Sequence, residues 1–84
     1  MNRFKNNKDN YFDQDFLDMN FSELDLTGMV FEDCAFNNCN FTEATLKGCK
    51  FIDCIFTNCN LSLIKIRETS FLNVSFSESK LVGI

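Results

Sequence analysis

The side chains able to do chemistry in this chain are its carboxylates and thiols: twelve Asp and Glu and five Cys, with no histidine. Without an imidazole, neither a Ser-His-Asp nor a Cys-His arrangement can be assembled. The thiols of Cys34, Cys39, Cys49, Cys54 and Cys59 are spaced five, ten, five and five residues apart, which lacks the close pairs of a zinc site. No DxDxDG loop offers itself to Ca²⁺, and neither a GxGxxG fingerprint nor a P-loop occurs. Charge recognition is what remains. Residues 9–43 carry Asp9, Asp13, Asp15, Asp18, Glu23, Asp25, Glu32, Asp33 and Glu43 and no Lys or Arg. Before them stand Arg3, Lys5 and Lys8; after them come three acids and five bases. The net charge of −4 thus combines a basic head, a strongly acidic stretch and a mildly basic remainder.

These groups act where the backbone puts them, and the backbone is governed by a period of five. From Phe16 to Leu81 every fifth residue is Phe, Leu or Ile without a break. A second, mostly small apolar series runs two residues ahead, from Met19 through Cys34, Cys39, Ala44, Cys49, Cys54 and Cys59 to Ser79. An α-helix would spiral such a pattern over all its faces, and a flat strand would alternate it between two. Inward steps of two and three instead predict short extended pieces joined by regular bends, stacked into a solenoid. Gly28 and Gly48 share one phase of the repeat with Asp33, Asn38, Asp53 and Asn58, all turn-forming residues. The chain has no proline, so every N–H is free to pair between coils. The cysteines hold an inward phase that wants a small apolar residue, and this points to packing, not disulfides.

The stretch CNFTEATLKGCKFIDCIFTNCNL (Cys39 to Leu61) resembles the pentapeptide repeat family, whose pattern is a small residue, a polar one, Leu or Phe, then two mostly polar residues. The resemblance implies an all-β fold: a right-handed quadrilateral β-helix of about 3.5 coils, four pentapeptides to the coil. Residues twenty apart then stack, giving the ladders Phe16–Phe36–Phe56–Phe76 and Phe31–Phe51–Phe71, with Cys34 against Cys54 and Cys39 against Cys59. Residues 12–84 are assigned to this β-helix and residues 1–11 to a basic N-terminal tail or cap. Polar Gln14 places the start of the regular core near Phe16, and Tyr11, still in phase, is a candidate cap. Met19, Leu24, Met29 and Ile64 exceed the family's usual small residue and predict a wider first coil or differently shaped turns. Ile84 has the inward phase and no capping helix follows, which leaves an uncapped C-terminal end suited to homo-oligomerisation or to a longer protein.

Quinolone-resistance members of the family are understood to imitate duplex DNA and to bind type II topoisomerases. The resemblance therefore implies a noncatalytic bacterial protein-interaction module, with DNA gyrase or topoisomerase IV as candidate protein partners. Asp13, Asp18, Glu23, Asp33, Glu43 and Asp53 form the candidate acidic face; the same residues also read as a solvated surface that keeps a β-solenoid soluble. Outward-phase Ile52, Ile55 and Leu72 form a candidate apolar docking patch. A solenoid this narrow has no cleft to desolvate paired carboxylates, so no enzyme and no cofactor are expected. Direct nucleic-acid binding is disfavoured because the acidic coils repel phosphate. The start MNRFKNNKDN lacks an apolar leader, and a cytoplasmic protein without a membrane partner is expected. The alternative function is a structural spacer, an N-terminal solenoid segment of a larger protein with no topoisomerase role.

Overall fold

The structure, a computed structural model, describes residues 10–83. The basic residues Arg3, Lys5 and Lys8 of the expected tail lie outside that range. Eight strands of three residues each form two four-stranded parallel sheets. One sheet takes β1 (Asn10–Phe12), β3 (Val30–Glu32), β5 (Lys50–Ile52) and β7 (Ser70–Leu72) in that order. The other takes β2 (Asp15–Leu17), β4 (Ala35–Asn37), β6 (Ile55–Thr57) and β8 (Ser75–Ser77). Every register offset is twenty residues, as in Phe31 with Phe51 and Phe36 with Phe56. Two further faces are held by single bridges, Asn20–Asn40–Asn60–Lys80 on one and Asp25–Thr45–Lys65 on the other. Four faces per twenty residues make a quadrilateral coil, the cross-section that the sequence resemblance implied.

Corners come from a single backbone device. Each of the fifteen residues at five-residue steps from Asp13 to Gly83 has a positive φ, between 51° and 82°. Glycine enters this left-handed region freely and Asn and Asp enter it most readily among the others. On two faces the corner is a hydrogen-bonded turn. Leu24 N–H donates to Phe21 O (3.2 Å), Met29 to Leu26 (3.2 Å), Ala44 to Phe41 (2.9 Å) and Cys49 to Leu46 (3.1 Å). A positive φ at the third residue gives these turns type II character. The turn is the same in kind whether Leu24 and Met29 or the smaller Ala44 and Cys49 follow it. An Asn or Asp before the central residue caps four of the turn faces, while Thr45 and Lys65 hold that place on two others: Asn20, Asp25, Asn40 and Asn60 accept from the N–H of Ser22, Thr27, Thr42 and Ser62 at 2.9–3.0 Å. Where it occurs, this Asx-and-hydroxyl pairing marks a turn face.

The core is one column of stacked rings. Along one ladder the centroids of Phe16, Phe36, Phe56 and Phe76 follow at 5.0, 4.6 and 5.0 Å; along the next, Tyr11, Phe31, Phe51 and Phe71 follow at 5.4, 5.1 and 5.2 Å. Neighbouring ladders meet edge to face, as Phe31 meets Phe36 at 5.3 Å and 73°, the arrangement that the ring quadrupole favours. Tyr11 is thus a rung of the column, carried by β1, the first described strand. Gln14 turns outward and its amide donates to Phe12 O at 3.1 Å.

The second series does more than fill space. The thiols of Cys34, Cys39, Cys49, Cys54 and Cys59 each donate to a carbonyl twenty-three residues earlier, at Tyr11, Phe16, Leu26, Phe31 and Phe36. Thr69 and Ser79 do the same toward Leu46 and Phe56. All five cysteines are free and buried. Burial pushes the thiols up, to about 11 for Cys39, Cys49 and Cys54, so they remain neutral donors near neutral pH. No helix among the described residues is long and apolar enough to cross a membrane.

Candidate interaction surfaces

All six expected acidic contacts occupy left-handed corners, yet not a single face. Twenty-residue stacking sorts them into columns. Asp13, Asp33 and Asp53 run down one corner and end on Asn73; Glu23 and Glu43 run down the diagonally opposite corner and continue into Leu63 and Gly83. Asp18 stands between them on a third corner, above Asn38, Asn58 and Glu78. Side-chain amides tie these columns along the axis. Asn38 donates to Asp18 at 2.7 Å, Asn58 to Asn38 at 3.4 Å and Asn73 to Asp53 at 2.6 Å. The twenty-residue stacking implied by the family resemblance already separates the Asp13–Asp33–Asp53 column from Glu23–Glu43, and the described coils have these columns on different corners.

Conformation explains part of this acidity. Asp at a left-handed corner satisfies the backbone as well as supplying charge, and Asn at Asn38, Asn58 and Asn73 does the first without the second. Glutamate has no such preference, so Glu23, Glu43, Glu68 and Glu78, like Leu63, hold their corners at a conformational cost. Three acids outside the expected set lie on the faces between corners: Asp15, Asp25 and Glu32. Among them Asp25 is held in place. Its carboxylate accepts from both the hydroxyl and the N–H of Thr27, and these bonds hold it below the usual carboxylate range.

Charge falls steeply down the axis. The first described coil, residues 10–29, carries Asp13, Asp15, Asp18, Glu23 and Asp25 and no cation. Residues 30–49 carry Glu32, Asp33 and Glu43 against Lys47. Residues 50–69 reverse the sign, with Lys50, Lys65 and Arg67 against Asp53 and Glu68.

The expected apolar patch is assembled around one corner. Ile52 and Leu72 are register partners on adjacent strands, Leu72 being 63% exposed and Ile55, past the corner, 50% exposed. Between them runs the Asp33–Asp53–Asn73 column, and beside it lies a shallow cleft of about 270 Å³ lined by Asp53, Cys54, Ile55, Asn73, Val74 and Ser75. Phe12, Leu17, Leu63 and Val82 are also exposed, scattered over other positions. At the lower end of the column Ile66, Phe71, Phe76 and Leu81 point inward yet are 36–45% exposed, whereas Phe21 and Leu26 of the first coil are buried.

Coils of four five-residue faces with a stacked aromatic column and a left-handed residue at every corner define a quadrilateral β-solenoid, a protein whose surfaces are its faces and corners. The family described as pentapeptide repeat region matches residues 29–84; this chain belongs to the pentapeptide repeat family. No curated protein matches it. Among solved structures, a trypsin-treated variant of QnrB1, a plasmid-mediated fluoroquinolone resistance protein, matches over 98% of this chain with 21% identity and a TM-score of 0.57. Full-length QnrB1 matches over 83% of this chain with 22% identity and a TM-score of 0.49. The chain spans 63% and 43% of the lengths of those two structures. At these identities the likeness is one of fold.

Proposed function

We propose that this chain is a noncatalytic, cytoplasmic bacterial interaction module whose acidic upper coils imitate duplex DNA toward DNA gyrase or topoisomerase IV. The observation that carries this reading is the charge density of the first coil. Five carboxylates and no cation occupy residues 10–29, a single coil with a rise of about 4.8 Å. B-DNA presents about three phosphates over the same length. The next coil still bears a net negative charge, and the corner columns present it as rows along the axis. The fold shared with a fluoroquinolone resistance protein supports the choice of target.

The test is gyrase supercoiling with purified protein, with and without a quinolone. Inhibition or drug protection is expected, and should disappear in a variant carrying Asp13→Asn, Asp18→Asn, Glu23→Gln, Asp33→Asn, Glu43→Gln and Asp53→Asn. A neutralised variant that is folded and keeps the full effect sinks the mimicry.

A second reading is self-association. The exposed rungs Ile66, Phe71, Phe76 and Leu81 offer an apolar platform that a second copy of the chain would cover. Sedimentation equilibrium tests this: concentration-dependent self-association that Phe76→Ser abolishes supports a homo-oligomer through this end, and a monomer at all concentrations removes it.

A further inference from the structure

Asp53 stands in a different setting from the other five acids. Its coil carries Lys50, Lys65 and Arg67 against Asp53 and Glu68, so the acidic surface of the upper coils ends there. What surrounds it is instead a small built notch. Its N–H donates to Leu72 O at 2.9 Å, and its carboxylate accepts from the Asn73 amide at 2.6 Å, which fixes one oxygen at the corner. Ile55 and Val74 line the adjoining cleft, Asn73 and Ser75 add polar groups, and buried Cys54 lies beneath. The Cys54 thiol is already engaged with the carbonyls of Phe31 and Ile52, both at 3.3 Å. Across the corner, Leu72 and its partner Ile52 continue the apolar surface.

An anchored carboxylate at the lip of a cleft with aliphatic walls suits a long cationic side chain. The walls cover the methylene stem, and the carboxylate takes the head group. We infer that the corner made by residues 52–55 and 72–75 is a docking site for a protein segment that presents Lys or Arg next to an aliphatic side chain, the cation entering the cleft beside Asp53 and the aliphatic group resting on Leu72. The inference rests on the interaction-module reading but not on a topoisomerase partner. Charge complementarity chooses the occupant. A neutral apolar segment would cover the Asp53 carboxylate without bringing a countercharge, and an acidic one would be repelled by it.

The experiment is an ¹⁵N-edited NMR titration of the whole chain with three blocked tripeptides, Ac-Leu-Arg-Leu-NH₂, Ac-Leu-Lys-Leu-NH₂ and Ac-Leu-Gln-Leu-NH₂. Saturable shifts are expected at Asp53, Ile55, Asn73, Val74 and Ser75 with the two cationic peptides. Asp53→Asn retains the left-handed preference and an oxygen for Asn73, and should weaken binding about fivefold, the upper range for an exposed ion pair. Asp13→Asn, the same change higher in the same column, should leave affinity unaltered. Equal binding of the glutamine peptide, shifts spread evenly over Asp13, Glu23 and Glu43, or no shifts at all would each overturn the inference. The two readings fail separately. Peptide binding at this corner without any gyrase effect retains the notch and removes the topoisomerase; a gyrase effect that is unchanged by Asp53→Asn, with no peptide binding, does the reverse.

Discussion

The corner column Asp13–Asp33–Asp53 allows the conformational and electrostatic roles of an acidic residue to be measured apart. Asp33 is its middle rung, with φ of 56° and a carboxylate one coil above and one below. At a coil spacing of about 4.8 Å, two unit charges in water repel by about 0.9 kcal/mol. A Debye length of about 8 Å at physiological salt reduces this to about 0.5 kcal/mol for each neighbour. Asp33→Asn removes both repulsions and keeps a residue that tolerates the left-handed region, so the fold should gain about 1 kcal/mol. Asp33→Ala removes the same repulsions but forces a Cβ-bearing residue without that preference into the corner, at about 1 kcal/mol. The two effects cancel. In a domain of this size 1 kcal/mol moves Tm by about 4–8 °C. Thermal melts followed by circular dichroism should therefore place Asp33→Asn above the parent by that amount and Asp33→Ala level with it. In 1 M NaCl, where the Debye length is about 3 Å, both variants should drop relative to the parent while the gap between them persists. If Asn and Ala behave alike at both salt concentrations, the corner makes no conformational demand and the account of its acidity is wrong. If Asp33→Asn lowers Tm, the carboxylate bonds within the fold and is no candidate for a partner.

Two further outcomes test the core. Phe36 is fully buried and stacked on both sides, by Phe16 and Phe56, whereas Phe76 is 36% exposed and stacked on Phe56. Phe36→Ala should cost about 4 kcal/mol and Phe76→Ala about half of that by guanidinium denaturation; equal costs would mean that the rings do not act as a column. The buried thiols have a folded pKa raised above that of the unfolded chain, mainly by desolvation. Their contribution is complete below pH 9 and declines as pH rises toward about 11, the value to which Cys39, Cys49 and Cys54 are pushed. Urea midpoints under reductant should fall across that window, and native thiols should label with a disulfide reagent at pH 8 far more slowly than those of the unfolded chain. Labelling at the unfolded rate would place the thiols outside the core.

The period of five made the solenoid legible because burial and backbone conformation repeat on the same frame. Phe36 and Cys34 are inward for one reason and Asp33 is a corner for another, yet each lies at a fixed offset from the next. Which faces are turns was also written in the chain, in the pairing of Asn20 with Ser22 or Asn40 with Thr42, but only contact with the N–H groups gives that pairing its meaning. The candidate site was less legible. A single phase contains Asp13, Asp18 and Glu23, and only the twenty-residue coil shows that these three point from different corners. Asp53 continues the Asp13–Asp33 column, but its coil also carries Lys50, Lys65 and Arg67, so the net charge around it differs from that of the coils above. The cleft next to Ile55 arises where two adjacent coils fail to fill a corner, and no local pattern announces such a gap. Tyr11 was legible as an in-phase candidate cap, and its ring does stack on Phe31 at the top of the described column.

The fixed stacking of residues twenty apart gives this fold something like a reading frame. Loss or gain of one residue inside the coils would swap corner for core at every later position, and the column below that point could not form. Five extra residues preserve the alternation but turn everything downstream by one face, so that Ile52 would no longer lie above Leu72, nor Asp33 above Asp53. Only a block of twenty lengthens the rod and leaves each corner in line. A protein of this kind can therefore change its length in whole coils while keeping a surface motif intact, and any shorter change rewrites the surface instead.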